Sequence, residues 1–197
     1  MMKKTVQYHL RSFLARHDGS ITVESVILIP LVFTVFMIGF TFFDVFREKS
    51  LTLKANYAIS DLISRDDNVT EADLQGYHKL FRYLTNNNPG AWIRVTEVKC
   101  RSACGKESRV LRKVWSKSYP AASVPELTTT DIQERYREAI PLMYLGEFLM
   151  IVETNAVYLP IFSGEWTGIF SRNMTDLVVT KPRNGPKICF ENENCNP

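Results

Sequence analysis

The pattern of apolar and polar positions changes sharply near residue 44. Residues 25–43 read SVILIPLVFTVFMIGFTFF, nineteen positions without a charged side chain. At about 1.5 Å per residue, a helix of this length crosses the roughly 30 Å hydrocarbon core of a bilayer. The alternative is a buried core helix, but such a helix usually keeps a polar stripe. The pattern therefore predicts a transmembrane helix over residues 20–43 and a separate domain over residues 44–197.

The apolar spacing beyond the span predicts that the helix continues. Residues 44–65 contain no Gly or Pro, and their apolar side chains recur at close to 3.6 residues. We expect one helix from Ile21 to about Ser64, whose second half is amphipathic and packs on the rest of the domain. Pro30 is expected to kink it, because proline removes a backbone hydrogen bond. The polar cluster at residues 65–68 should end it.

The remaining pattern predicts an α+β domain. Thr70–Asp73 resembles a capping box that opens a second helix, and residues 86–90 read as a turn. The elements predicted after that turn are a β-hairpin of Trp92–Cys100 and Arg109–Tyr119, a helix over Thr130–Ala139, and strands over Phe148–Leu159 and Leu177–Thr180. Residues 181–197 are expected to be loop. The aromatic segment 158–170 is expected to be a loop over the core, with Trp166 either buried or at the membrane interface.

The charge distribution argues against a nucleic-acid partner. The chain has 24 Lys+Arg and 21 Asp+Glu, a formal charge of +3. Residues 1–19 hold four basic residues and one acid, so the rest of the chain is balanced at 20 against 20. A nucleic-acid binder would carry its basic excess on the folded domain. The positive-inside rule instead places this basic leader in the cytoplasm and residues 44–197 outside.

Candidate chemistry is sparse, and no enzymatic activity or cofactor is predicted. His9 and His17 lie in the leader, and His78 is expected to be a surface or boundary residue of the second helix. The chain contains no phosphate-binding loop, no dinucleotide fingerprint, no HExxH and no GxSxG. Three acids could be imagined as a catalytic carboxylate pair, but nothing in the sequence brings any two of them together: Glu147, Glu153 and Glu165.

All four cysteines lie beyond the predicted span, in a compartment where disulfides persist. The short spacings favour the pairs Cys100–Cys104 and Cys189–Cys195, while a bridge from the C-terminal tail to the 100–104 loop stays open. A four-cysteine zinc site is the rival hypothesis. Zinc ribbons usually have two-residue spacers rather than three and five, so no metal site is predicted.

Glu24 lies at the mouth of the apolar segment, where a carboxylate is costly. On insertion scales an ionised carboxylate at mid-membrane costs about 3 kcal/mol, and less near the interface. One explanation is a snorkelling residue favoured by the positive N-terminus of the helix. The other depends on its position, since Glu24 is the fifth residue after Gly19, a glycine that closes a short basic leader.

The segment GSITVE, from Gly19 to Glu24, resembles the class III signal of type IV pilins and pseudopilins. The resemblance implies that a prepilin peptidase cuts between Gly19 and Ser20 and leaves the apolar helix on the mature protein. Gly19 to Pro30, read as GSITVESVILIP, looks like the TadE-like family of pseudopilins from tight-adherence pilus loci. Major pilins of the Flp type are very short and commonly carry Glu-Tyr at this point, whereas this chain has Glu24-Ser25.

The resemblance also implies a fold, partners and a location. It implies a pilin-like α+β fold in which a long membrane-rooted helix lies against a small antiparallel sheet in the periplasm. Glu24 would pair with the terminal ammonium of a neighbouring subunit and set the register of assembly. The implied partners are a prepilin peptidase, other pilins and pseudopilins, the assembly platform in the bacterial inner membrane, and membrane lipid.

The implied function is that of a minor pilin or pseudopilin in biogenesis of a tight-adherence (Flp-type, type IVc) pilus. The protein would be a single-pass inner-membrane protein, either retained there or incorporated in the pilus. The alternative hypothesis is a single-pass anchored extracytoplasmic binding domain that is not processed as a prepilin.

Overall fold

The computed structural model describes residues 20–86, 88–191 and 193, which form a mixed helix and sheet architecture. The helices are α1 (Ser20–Ile63), α2 (Glu71–Leu84), α3 (Thr129–Asp131) and α4 (Gly164–Thr167). The strands are β1 (Asn68–Val69), β2 (Trp92–Ser102), β3 (Val110–Tyr119), β4 (Phe148–Tyr158), β5 (Arg172–Thr180) and β6 (Cys189–Phe190). A long apolar N-terminal helix and a small antiparallel sheet are both present, as predicted.

Helix α1 is one continuous element of 44 residues, which confirms the predicted length. It continues through Pro30, and the predicted kink at that residue stays a prediction. The Thr34 hydroxyl donates to the Pro30 carbonyl at 2.8 Å, so this turn carries an added side-chain bond next to the proline. The helix ends just before the polar cluster 65–68, as the sequence pattern indicates.

Helix α2 begins with the predicted capping box. The Thr70 side chain accepts from the Asp73 backbone N–H at 3.2 Å, and the Asp73 carboxylate accepts from the Thr70 backbone N–H at 2.9 Å. These two bonds satisfy donors that the first turn leaves without helical partners. The Thr70 hydroxyl also donates to the Asp73 carboxylate at 2.7 Å, and this bond together with the one from the Thr70 N–H lowers the pKa of Asp73, because both stabilise its charged form. Leu74 and Phe81 of α2 are buried.

The main sheet has the order β3-β2-β4-β5, and every neighbouring pair is antiparallel. The predicted hairpin corresponds to β2 and β3, which pair from Ile93 opposite Tyr119 to Ser102 opposite Val110. The register shifts after Glu97 and again after Cys100. Such irregularities increase the local twist of the hairpin.

Both faces of the sheet are covered, which builds two apolar clusters. On one face the second half of α1 and helix α2 pack against the strands through Ile59, Ile63 and Phe81. On the other face the segment 127–143 packs against Val98, Ile151 and neighbouring residues. Because strand side chains alternate between faces, adjacent residues of β4 such as Met150 and Ile151 enter different clusters.

Three of the local predictions are corrected. The ten-residue helix over Thr130–Ala139 is wrong, because α3 passes into a π-helical turn over Ile132–Tyr136. Within that turn, the Gln133 side chain donates to the Arg109 carbonyl and accepts from the Leu111 N–H, both at 2.9 Å, which fastens it to β3. The last strand starts at Arg172 rather than Leu177. The tail is also not entirely loop, since β6 pairs in parallel with β1.

The chain divides into two compact units. The helix unit contains the described residues up to Asp44 together with Pro160–Phe170, and the sheet unit contains Val45–Leu159 and the described residues from Ser171 onward. The apolar half of α1 and helix α4 therefore belong to the helix unit. The four-stranded sheet, helix α2 and the second half of α1 belong to the sheet unit.

Candidate functional site

The N-terminal half of α1 exposes a long apolar surface. The helix contains a stretch with a mean hydropathy of 2.6, of which only 6% is buried. A core helix of a soluble protein would be mostly buried, so α1 is a candidate membrane span. The large apolar side chains exposed between residues 21 and 36 are Ile21, Val23, Val26, Ile27, Leu28, Ile29, Leu31, Val32, Phe33, Val35 and Phe36. A surface this large requires lipid or other apolar helices to cover it.

The hydroxyl groups of the uncharged stretch 25–43 donate to carbonyls within the helix. Ser25 donates to the Ile21 carbonyl and Thr41 donates to the Met37 carbonyl, each at 2.8 Å. A hydroxyl that bonds four residues back presents no free donor to a low-dielectric environment. The helix surface is therefore compatible with hydrocarbon along the whole uncharged stretch.

Glu24 is the one ionisable residue between positions 20 and 43. Its side chain is exposed, and among the described residues it has no ion-pair partner. It lies four residues after Ser20, about 6 Å along the helix axis. A carboxylate placed in this way can pair with a cation on another molecule.

The predicted cleavage point lies at the edge of what the structure describes. Gly19 and the rest of the leader, residues 1–19, lie outside the described residues. Ser20 is the first described residue of α1, and the structure describes its helical backbone but not its side chain. The cut between Gly19 and Ser20 stays a prediction.

The cysteine loop adopts the pairing that the short spacing favours. Cys100 and Cys104 form a disulfide, with their Cα atoms 5.8 Å apart. Sulfurs joined in a disulfide cannot act as zinc thiolates, so this structure does not provide the four-cysteine zinc site. Cys189 in β6 is also disulfide-bonded, whereas Cys195 lies outside the described residues. The alternative bridge from the tail to Cys100 or Cys104 is excluded by their own bond.

Two of the three acids named above, Glu147 and Glu153, have separate partners in the sheet unit. Glu153 accepts from the Arg94 guanidinium at 2.7 Å and from the Tyr136 hydroxyl at 2.8 Å, and both charged side chains are buried. Glu147 pairs with Lys181 Nζ at 2.7 Å, and this ion pair lowers the pKa of Glu147. These contacts hold strands and loops of the sheet unit together.

His78 was expected at the surface or at a boundary, and the structure buries it. Its Nε2 lies 2.9 Å from the Ala91 carbonyl, and its ring packs on Tyr119 with centroids 5.0 Å apart. Burial lowers the pKa of His78 because it disfavours the charged imidazolium. This histidine therefore supports the packing of α2 on the hairpin.

A buried carboxylate, Glu97, was missed by the sequence-based reasoning. Glu97 is fully buried on β2 and faces Trp115 of β3. Its Oε1 accepts from the Ile188 N–H at 2.6 Å, while the Trp115 indole N–H donates to the Ile188 carbonyl at 2.8 Å. Burial raises the pKa of Glu97 to about 7, against the opposing effects of the Ile188 N–H, the Lys187 charge and the Trp115 indole.

The sequence does contain a signal for Glu97. Glu97 follows Ile93 and Val95 at intervals of two residues in β2, and both of those side chains point into the core. Alternation alone therefore places Glu97 on the buried face. Its partner Ile188 is 91 positions away in the chain, and no local pattern indicates that contact.

Comparisons with family models, curated proteins and solved structures found no match to this chain. The functional assignment therefore depends on the chain's own residues. The feature with the clearest functional meaning is the exposed apolar half of α1 with its single carboxylate.

Proposed function

We propose that this chain is a TadE-like minor pilin or pseudopilin that acts in biogenesis of a tight-adherence (Flp-type, type IVc) pilus. In this proposal α1 anchors the protein in a bacterial inner membrane, with residues 1–19 in the cytoplasm and the sheet unit in the periplasm. A prepilin peptidase cuts between Gly19 and Ser20. The mature helix then packs with other pilins or with the assembly platform.

The observation that carries the proposal is the exposed helix with one lone acid. The uncharged stretch 25–43 is about 28 Å long, enough for a bilayer or for the helical core of a filament. Anchoring alone requires only the apolar surface, and it accounts for Glu24 as a snorkelling residue at the helix N-terminus without giving it a partner. A pilin-like subunit gives the carboxylate a role, because cleavage creates a cationic terminus at Ser20 close to it.

The charges support a mechanism for register. When helices pack laterally in an apolar environment, a carboxylate without a partner is penalised by several kcal/mol. The penalty is relieved where the Glu24 carboxylate of one subunit meets the Ser20 ammonium of its neighbour. Only one stagger of the two helices brings those groups together, so the pair selects that stagger and disfavours the others.

The first experiment tests maturation. The full chain is expressed with and without a prepilin peptidase, and the membrane-extracted protein is analysed by intact mass and N-terminal sequencing. We expect a product that begins at Ser20 only when the peptidase is present, and we expect Gly19→Ala to keep the leader. Gly39→Ala is the matched control, because it changes a glycine within α1, away from the predicted cleavage point, where an added Cβ meets nothing within 4 Å.

The second experiment separates maturation from assembly. Glu24→Gln is expected to be processed normally but to reduce incorporation into pili at least tenfold, since the register pair is lost. Glu48→Gln removes an acid of the same helix beyond the apolar stretch, and it should assemble like wild type. Normal piliation of the Glu24→Gln strain would contradict the register role. A leader retained in every strain would instead favour the unprocessed, membrane-anchored binding domain.

A further inference from the structure

The connection between β4 and β5 carries an exposed apolar surface that membrane anchoring by itself does not require. Residues 160–170 read PIFSGEWTGIF and contain one ionisable residue, Glu165. Three of their large apolar side chains are exposed, with exposed fractions of 63% for Ile161, 69% for Trp166 and 63% for Phe170. Trp166 was expected to be buried or at the membrane interface, and the structure excludes burial.

This connection belongs to the helix unit and contacts the end of the apolar stretch. Phe162 is half-buried and packs edge-on against Phe40 of α1, with ring centroids 6.0 Å apart. Phe40 lies three residues before Phe43, where the uncharged stretch ends. At about 1.5 Å per residue, the contact lies roughly 5 Å inside that end.

The segment holds its exposed side chains in a defined conformation. Ser163 caps α4 by accepting from the Glu165 N–H at 3.3 Å, and Gly168 ends α4 with a φ of +73° and an N–H bond to the Gly164 carbonyl at 2.8 Å. A Cβ at Gly164 would come within 3 Å of the Phe170 ring, so a glycine is needed for this close approach. Trp166 is therefore presented outward from a compact turn.

We propose that residues 160–170 insert into the headgroup region of the lipid bilayer, beside the outer end of the α1 span. This inference rests on the proposed membrane anchoring of α1. Tryptophan is favoured at a membrane interface because its ring is apolar and its N–H is polar. Glu165 argues for the interface rather than the hydrocarbon interior, since a carboxylate is tolerated near headgroups and costly deeper. The α1 span and this segment together form a two-point attachment to the membrane.

The test measures the depth of Trp166 in phosphatidylcholine vesicles that contain the full chain. The emission of Trp166 is the difference between wild type and Trp166→Phe, which keeps Trp92 and Trp115 as a common background. Lipids brominated near the headgroup end or near the middle of the acyl chain quench the indole according to its depth, and iodide in the buffer quenches an indole in water. Val35→Trp in the Trp166→Phe background is the matched control, since residue 35 is about 12 Å inside the span and 63% exposed.

We expect shallow bromines to quench Trp166 at least twofold more than deep bromines, with little quenching by iodide, and we expect the reverse depth preference for Val35→Trp. Phe162→Ala removes the contact with Phe40 and should at least halve the quenching of Trp166 by shallow bromines. If iodide but not the brominated lipids quenched Trp166, while the lipids quenched Val35→Trp, the insertion of residues 160–170 would be overturned and the anchoring by α1 would stand. Stronger quenching of Trp166 by deep bromines would overturn the interfacial placement. Absence of lipid quenching at both positions would overturn the membrane anchoring as well.

Discussion

Glu97 makes the sheet unit sensitive to pH in a direction that is unusual for a carboxylate. The perturbation is Glu97→Gln, which keeps the size of the side chain and an acceptor for the Ile188 N–H but cannot ionise. In the native protein Oε2 of Glu97 has no hydrogen-bond partner among the described residues. Ionisation therefore places a buried negative charge where only one oxygen is bonded.

The magnitude follows from the pKa of Glu97, which rises from an ordinary value of 4.5 to about 7 in the native state. Each tenfold change in proton affinity is worth about 1.4 kcal/mol. The ionisation of Glu97 therefore changes the free energy of unfolding by about 3 kcal/mol in total. Between these two pKa values the native state binds more protons than the unfolded state. The contribution of Glu97 to the free energy of unfolding is therefore highest below pH 4.5, and it falls as the pH rises through 7.

The assay is urea unfolding of the full chain in detergent, followed by tryptophan emission, to which Trp115, buried beside Glu97, contributes. His78 acts in the opposite direction: its pKa is lowered, so its contribution is lost as the pH falls below about 6.5. Both proteins contain His78, so its effect cancels when the free energies of unfolding of wild type and Glu97→Gln are subtracted. We expect this difference to change by about 2.5 kcal/mol between pH 5 and pH 8, in favour of the glutamine variant at pH 8. A difference that stays constant over this range would refute the reasoning.

Three further predictions concern other contacts of the sheet unit. Glu153→Ala leaves the Arg94 guanidinium buried without its carboxylate and should cost about 3–5 kcal/mol in urea unfolding at pH 7. Replacing both Cys100 and Cys104 with serine opens a five-residue loop, and the expected loss is about 2 kcal/mol by the same assay. Gly90→Ala places a Cβ against the Val157 side chain and should cost about 1–3 kcal/mol, seen as a lower melting temperature.

Each of these changes has a matched control. Glu107→Ala breaks an ion pair in which the glutamate is 87% exposed, so it should lower the free energy of unfolding by about 1 kcal/mol or less. If Glu153→Ala lowered it by the same amount, burial would not be what makes the Glu153 ion pair important. Reductant should lower the urea midpoint of wild type by more than that of the double serine variant, because the variant keeps only the disulfide of Cys189. Gly76→Ala adds a Cβ that meets nothing within 4 Å in the middle of α2, and it should stabilise the protein by about 1 kcal/mol. Equal effects of Gly76→Ala and Gly90→Ala would show that crowding at Val157 is unimportant.

Local patterns in the sequence determined the elements that depend on neighbouring residues. The nineteen uncharged residues and the 3.6-residue spacing predicted the length of α1 to within one residue at each end. The Thr70–Asp73 capping box predicted the start of α2, and the hairpin of β2 and β3 followed from two apolar strands around a polar turn. Helix length, capping and hairpin pairing are short-range properties, so the residues that specify them lie close together in the chain.

Only the tertiary structure decided the features that join distant parts of the chain. The parallel pairing of β1 with β6 connects residues about 120 positions apart, and two residues of tail carry no strand pattern of their own. The π-helical turn at Ile132–Tyr136 depends on bonds from Gln133 to β3, and Glu153 is satisfied by Arg94 from another strand. The contact between Phe162 and Phe40 likewise joins residues that are far apart in the sequence. Local periodicity indicates which side chains are buried, but the partner of a buried polar group depends on how the elements pack.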